Sequence, residues 1–206
     1  MILKYLLCII LVLSAGGNLF SQGNIRTNVD AAGSLIDESL IQLNNKLLIL
    51  GKDNLYGIMI DDNESGEYIL DNIKRKFPEY RIVFRENSDS IKYRIIFKNP
   101  IITTRYKKIF TDNILGTKKV QREVAVSYDA DVIDNSNSSV IYNLNFNKKF
   151  KDDFNLENLN YIENQRYKFS RSSLPDENNT DKILFPSLII GASAAAIILF
   201  FVIRSK

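Results

Sequence analysis

The sequence predicts an α+β domain, two helices packed on a mostly antiparallel sheet of about five or six strands, with one transmembrane helix at the carboxyl end. Three observations predict it. Before residue 78, apolar residues recur at spacings of three and four in two stretches. Beyond residue 80 the spacing falls to two, the alternation of a strand. From Ile183 to Ile203 no charged residue occurs, and such a run is long enough to cross roughly 30 Å of hydrocarbon.

The elements follow in order. Ile36, Leu40, Leu43, Leu47 and Leu50 mark one face of a helix from Asp30, a capping residue, to Gly51, which suits a left-handed stop. The run "LYGIMI" (55–60) is too short for a helix and predicts a strand covered on both faces. Ser65 suits the cap of a second helix carrying Ile69, Ile73 and Phe77, with Pro78 as its stop. Residues 80–84 and 91–98 alternate as strands, Pro100 interrupts, and 101–110 continue as an edge strand or a bent extension. Val120, Val124, Val126, Tyr128, Ala130 and Val132 alternate with Gln121, Glu123, Ser127, Asp129 and Asp131. After the turn residues "DNSNSS" (134–139), Val140, Tyr142, Leu144 and Phe146 alternate with asparagines, which makes a long hairpin with one wet face. A short helix is expected near 155–163, with Leu156, Leu159 and Ile162 inward. This order of elements resembles that of periplasmic modules such as the TolB amino-terminal domain and the CsgG-type secretion proteins, and the resemblance rests on element order alone.

The two ends predict an address. Lys4 precedes "YLLCIILVLSAGG", an apolar core of signal-peptide length, and Ser21 suits the position before a cut. The expected division is a signal peptide at 1–21, an extracytoplasmic domain at 22–169, a polar linker at 170–182, a transmembrane helix at 183–203 and a cytoplasmic tail at 204–206. Arg204 and Lys206 favour the inner side. The expected location is the cytoplasmic (inner) membrane, single-pass, with the domain in the periplasm. Outside the leader and tail, 24 basic residues face 24 acidic ones, so the exported portion is neutral.

Absences narrow the chemistry. The chain has no His, and Cys8 lies in the leader. The exported portion therefore has no disulfide, thiol nucleophile or imidazole base, and triads using His, zinc sites with His or Cys ligands, haem and iron–sulfur clusters are excluded. No metal or cofactor is expected. No phosphate-cradling glycine loop and no nucleophile elbow occurs.

Charge is segregated. Between Lys74 and Arg122 lie fourteen basic residues against four acidic ones. Arg81, Arg85, Lys92, Arg94, Lys98 and Arg105 are the candidates for a basic sheet face that binds a protein partner, an anionic glycan or anionic lipid headgroups. The alternative is a solvated face whose charges meet acids elsewhere, notably on the hairpin. Nucleic acid is not expected, because the aromatic residues alternate inward rather than among the cations. The pairs Asp61/Asp62 and Asp129/Asp131, the latter with Glu123, are candidates for calcium binding or glycoside chemistry; against this stand turn capping and a wet strand face. Ser187, Gly191 and Ala195 form a small-residue stripe suited to self-association or to a helix partner in the bilayer. The expectation is a non-enzymatic, membrane-tethered binding or scaffolding module of a bacterial envelope assembly, secretion or maintenance system. The alternative is a carboxylate-dependent hydrolase acting on cell-wall or other polysaccharide.

Overall fold

The computed structural model describes residues 25–85, 88–111, 116–176, 187, 189–195 and 197. Helix α1 (Asn28–Leu50) begins at a capping box: Thr27 Oγ1 accepts from Asp30 N at 3.0 Å, and Asp30 Oδ2 accepts from Thr27 N at 3.2 Å. The cap is thus Thr27, and the expected cap Asp30 closes the box from inside the first turn. Ala31, Leu35, Ile36, Leu40, Leu43 and Leu47 form the buried stripe. Each such leucine or isoleucine stabilises the fold by about 1.5–3 kcal/mol. Gly51 ends the helix at φ 94°, a conformation that favours glycine, and its N–H donates to Leu47 O at 3.0 Å.

Strand β1 (Leu55–Ile60) leads to helix α2 (Glu64–Lys76) and the short strand β2 (Arg81–Phe84). The cap of α2 is Asn63, whose side chain accepts from Gly66 N at 2.8 Å. Ser65, expected there, instead accepts from Ile102 N at 3.0 Å and ties α2 to the sheet. Glu64 accepts from Lys168 N at 2.8 Å and Phe169 N at 3.2 Å, holding the carboxyl-terminal segment against the same helix end.

Strands β3 (Tyr93–Thr111), β4 (Lys118–Asp134) and β5 (Ser139–Asn155) complete a five-stranded sheet in the order β2-β1-β3-β4-β5. The sheet is mixed. β1 is parallel to both β2 and β3, and only β3-β4-β5 are antiparallel. The reason lies between β2 and β3. The chain returns across β1 on the face away from the helices, with Ile91 over Gly57, where a Cβ would stand 2.9 Å from Ile91 Cδ1. Lys92 N then donates to Leu55 O at 3.0 Å, and β3 starts alongside β1 in the same direction. β1 is therefore not covered throughout on both faces: Tyr56, Ile58 and Ile60 are buried under the helices, Ile91 shields Gly57, and Met59 stays 37% exposed.

Pro100 does not end a strand. Lys98 pairs with Asp129 and Ile101 with Ser127, so β3 holds one extra residue, with Asn99 at φ 51°. This is a β-bulge, a site where proline is tolerated. Asp61 Oδ2 accepts Asn99 N at 3.2 Å. The extra residue flips the alternation: Tyr93, Ile95 and Phe97 face the core before it, and Ile102, Thr104 and Tyr106 after it.

Helix α1 packs on β4 and β5, and α2 on β3. Tyr128 and Phe146 stack at 5.5 Å beneath them, and the Ser39 hydroxyl of α1 hydrogen-bonds the Tyr128 hydroxyl. At about 3.3 Å per residue the antiparallel strands form a ribbon some 55 Å long, which outruns the helices. A second, smaller core lies at its far end: Tyr106, Val120, Phe154 and Ile162 with Ile25, Ile109, Leu156 and Leu159. Here the expected helix near 155–163 is a 3-10 turn (Leu156–Asn158) running into helix α3 (Leu159–Ile162).

Between the two cores sits Arg122, fully buried. It belongs to the basic run by sequence but faces inward with Val120 and Val124. Its Nε and Nη2 meet the two Asp152 carboxylate oxygens at 2.7 and 2.5 Å, and its Nη1 donates to Arg26 O at 2.9 Å and Asn28 Oδ1 at 2.8 Å. The packed chain runs on past residue 169, since Ser170 is fully buried and its carbonyl accepts from Asn28 Nδ2 at 2.6 Å.

Among the described residues, no helix is long and apolar enough to cross a membrane. The expected span at 183–203 falls mostly outside them, and its described positions, 187, 189–195 and 197, are helical and exposed. The expected signal peptide and tail also lie outside the described residues.

Helix α2 approaches the end of β1 so closely that a Cβ on Gly66 would stand 2.2 Å from the backbone oxygen of Asp61, whereas one on Gly33 meets only the Tyr68 hydroxyl, at 3.1 Å. Gly66→Ala is expected to lower stability by about 1–3 kcal/mol in urea unfolding. Gly33→Ala is expected to cost less, and the reverse ranking would show that α2 is not seated on β1 this way.

Candidate functional site

The residues of the predicted basic face are placed by strand parity and by the bulge. Arg94 and Lys98 point away from the helices, opposite in phase to Tyr93, Ile95 and Phe97. Past the bulge, Thr103, Arg105 and Lys107 continue the same face. β4 adds Glu123, Ser127, Asp129 and Asp131, and β5 adds Asn143, Asn145, Asn147, Lys149 and Lys151. Arg81 joins from β2, alternating with the core-facing Ile82. Beyond Ile91 over Gly57, no secondary-structure element among the described residues covers this face.

Most charges on it have partners. Lys98 Nζ lies 2.5 Å from Asp131 Oδ2, and Asn143 Nδ2 donates to Asp131 Oδ1 at 2.5 Å. Asn145 donates to Asp129 at 2.6 Å. Glu123 stands among Lys107, Lys149 and Lys151 at 3.7, 3.8 and 3.6 Å. Arg94 Nε donates to Asn135 Oδ1 at 2.8 Å, and Asn135 in turn donates to Ile91 O at 2.9 Å, which pins the strand-crossing return. Lys92 lies 5.3 Å from the Tyr93 ring centroid. Arg81 and Arg105 are exposed and form no ion pair with a described residue.

Arg85 does not belong to this face. It sits past the end of β2 at φ 58°, and its guanidinium turns to the first turn of α2, pairing with Glu67 and, at 3.3 Å, with Asp62. That pairing, with the Asp61 bond to the bulge, occupies the first acidic pair in structural contacts. The hydrogen bond from Lys98, with that from Asn143, holds the Asp131 carboxyl below its ordinary range. Burial pushes Glu123 up, but the three surrounding ammonium groups outweigh it and leave it lowered. A general acid for glycoside cleavage needs the opposite shift. Among the described residues no group of three metal-ligating side chains converges.

One feature escapes sequence reasoning. A groove of about 700 Å³ opens between α1 and α2, lined by Asp30, Asp37, Tyr68, Arg75, Arg166 and Tyr167 among others. It needs two helices and the turn near residue 166 together, and no local pattern announces it. Its charges are partly matched, with Lys74 3.5 Å from Asp71. The small-residue stripe is helical at Ser187, Gly191 and Ala195, and among the described residues nothing stands within 4 Å of a Cβ built on Gly191.

No family model matches the chain, and no curated protein matches it. Among solved structures, it is similar to one described as a neuraminyllactose-binding hemagglutinin homologue from Helicobacter pylori. The TM-score is 0.32 at 10% identity, over 50% of this chain and 66% of that one. A likeness at that level assigns neither family nor ligand.

Asp131 is depressed in the folded protein, so its stabilising effect is present above its unfolded pKa near 3.8 and is lost as pH falls through the lower folded value. Glu123 acts with the same sign from its ordinary value of 4.5 downward. The thermal midpoint is therefore expected to fall steadily below about pH 4. Asp131→Asn is expected to flatten that fall, and an unchanged acid limb in scanning calorimetry would contradict the pairing.

Proposed function

We propose that the chain is a non-enzymatic binding or scaffolding module, held outside the cytoplasmic membrane of a bacterium by the apolar segment 183–203 and acting within an envelope assembly, secretion or maintenance system. The observation that carries this reading is the uncovered face of β3-β4-β5, a broad polar surface. Its acids are already engaged, Asp131 and Glu123 by lysines and Asp129 by the amide of Asn145. Arg81 and Arg105 are exposed, form no ion pair with a described residue, and are the cations such a surface offers to a partner. Broad, polar, hydrogen-bonding surfaces suit protein partners and anionic glycans. The stripe Ser187, Gly191 and Ala195 would add self-association or a helix partner within the bilayer.

The paired cations dictate how to test it. Reversing Lys98 would set a second carboxylate against the buried Asp131 and confuse folding with binding. A photo-crosslinking amino acid at Arg105 or Arg81, in intact cells, probes the face with little structural cost. A discrete adduct from both positions is expected, and none from Ile41, which is exposed on the helix layer. Absence of adducts from the sheet face would remove it as the binding surface. Tethering is checked separately: the intact chain is expected to stay with vesicles in alkaline carbonate, and its release would refute the membrane-anchor reading.

A further inference from the structure

The groove between α1 and α2 lies in the helix layer, on the opposite side of the sheet from the uncovered face, and the sheet-face reading makes no use of it. Its volume of about 700 Å³ admits a molecule the size of a sugar. The acids that line it are engaged within the fold. Asp30 closes the capping box with Thr27, Asp71 stands 3.5 Å from Lys74 Nζ, and Asp37 stands 3.9 Å from Lys76 Nζ. Its two arginines are not so matched. Arg75 and Arg166 are exposed and form no ion pair with a described residue.

Each arginine has a fixed setting. Asn72 is buried, its Nδ2 donates to Tyr68 O at 2.7 Å, and its Oδ1 accepts from Arg75 Nη2. A guanidinium has further N–H donors beyond that one bond. Arg166 lies on the turn beside Lys168 and Phe169, whose N–H groups Glu64 holds against the start of α2, and its own N–H donates to Asn164 Oδ1 at 2.9 Å. Its Cζ stands 5.3 Å from the Tyr167 ring centroid, and the Tyr167 ring meets that of Tyr68 edge-on at 5.1 Å. Burial raises the Tyr68 hydroxyl pKa, and the charge of Arg75 is near enough to oppose that rise. The two arginines therefore flank one pair of tyrosines.

We propose that this groove binds a small hydroxylated organic anion, its carboxylate or phosphate held between Arg75 and Arg166 and its hydroxyl groups donating to Asp37 and Asp71. Planar guanidiniums recognise either oxyanion through paired, charge-assisted hydrogen bonds. An aspartate that already faces one ammonium keeps lone pairs for a ligand hydroxyl. A neutral sugar would leave both guanidiniums without a counter-charge, and an apolar molecule would strip water from the aspartates without replacing its hydrogen bonds. The site shares no residue with the sheet face, so it stands or falls independently of the sheet-face reading.

The full-length chain is titrated in a calorimeter with glucuronate, with glucose 6-phosphate and with glucose, at constant ionic strength. Saturable binding of one or both anions is expected, and none of glucose; the anion preferred identifies the recognised group as carboxylate or phosphate. Arg75→Gln and Arg166→Gln are each expected to lower the affinity by about tenfold, the usual worth of a charged hydrogen bond. Arg75→Lys keeps the charge without the planar fork and is expected to recover only part of that loss. The titrations of the unaltered chain need no substitution, so a variant that folds poorly does not decide the matter. Failure of both anions to bind at millimolar concentration, binding of glucose as tight as theirs, or an affinity unchanged in both glutamine variants overturns the proposal.

Discussion

A single buried cation organises this molecule. Taking the Arg122 guanidinium out of water costs several kcal/mol, which only good geometry and full hydrogen bonding offset. Both are present. Asp152 grips it bidentately from the neighbouring strand, the Arg26 carbonyl and Asn28 side chain take its remaining nitrogen, and the rings of Phe150 and Phe154 lie 5.5 and 5.4 Å from it. The network continues outward. Asn28 donates to Tyr106 and to Ser170 O, and Tyr106 donates to Glu163. Burial pushes the Tyr106 hydroxyl pKa up, which keeps it a neutral donor at physiological pH. The start of α1, all three antiparallel strands and the carboxyl-terminal segment therefore meet at one polar centre.

That centre also joins the far half of the sheet to the rest of the fold. The helices cover only one half of the ribbon, so the far half would be a thin sheet with little to bury. Arg122 and the small core beyond it hold the ends of the folded chain against that half. The distal end thereby gathers both chain approaches, while the broad face of the sheet is left uncovered.

Much of the fold was legible in local patterns. Spacings of three and four marked α1 and α2 because each presents one apolar stripe to the sheet, and period two marked the β4–β5 hairpin because only its inner face is buried. Three features were not legible, each for a physical reason. The parallel pairing of β1 with β3 depends on Ile91 crossing over Gly57, a contact between loop and strand that no periodicity records. The bulge at Asn99 and Pro100 reverses parity mid-strand, so the sequence allowed 101–110 as either an edge strand or a bent extension, and the structure shows the extension: one continuous strand with the bulge inside it. Charge counts treat every arginine as solvated. Arg122 shares its parity with Val120, Val124 and Val126, and that phase was the one signal that it turns inward. On the outer face, Arg81, Arg94, Lys98 and Arg105 fell where alternation put them, whereas Arg85 left it because its backbone turns at the end of β2.

The most direct test of the account is a double-mutant cycle between Arg122 and Asp152 on the full chain, read by urea unfolding. The account predicts that Arg122→Met and Asp152→Leu each cost about 3–5 kcal/mol, since each strands a charge, and that the double variant recovers about 2 kcal/mol or more of the summed loss. Additive losses, with no recovery in the double variant, would mean that the buried arginine is not held by this pair and that the ribbon is joined to the chain ends by other means.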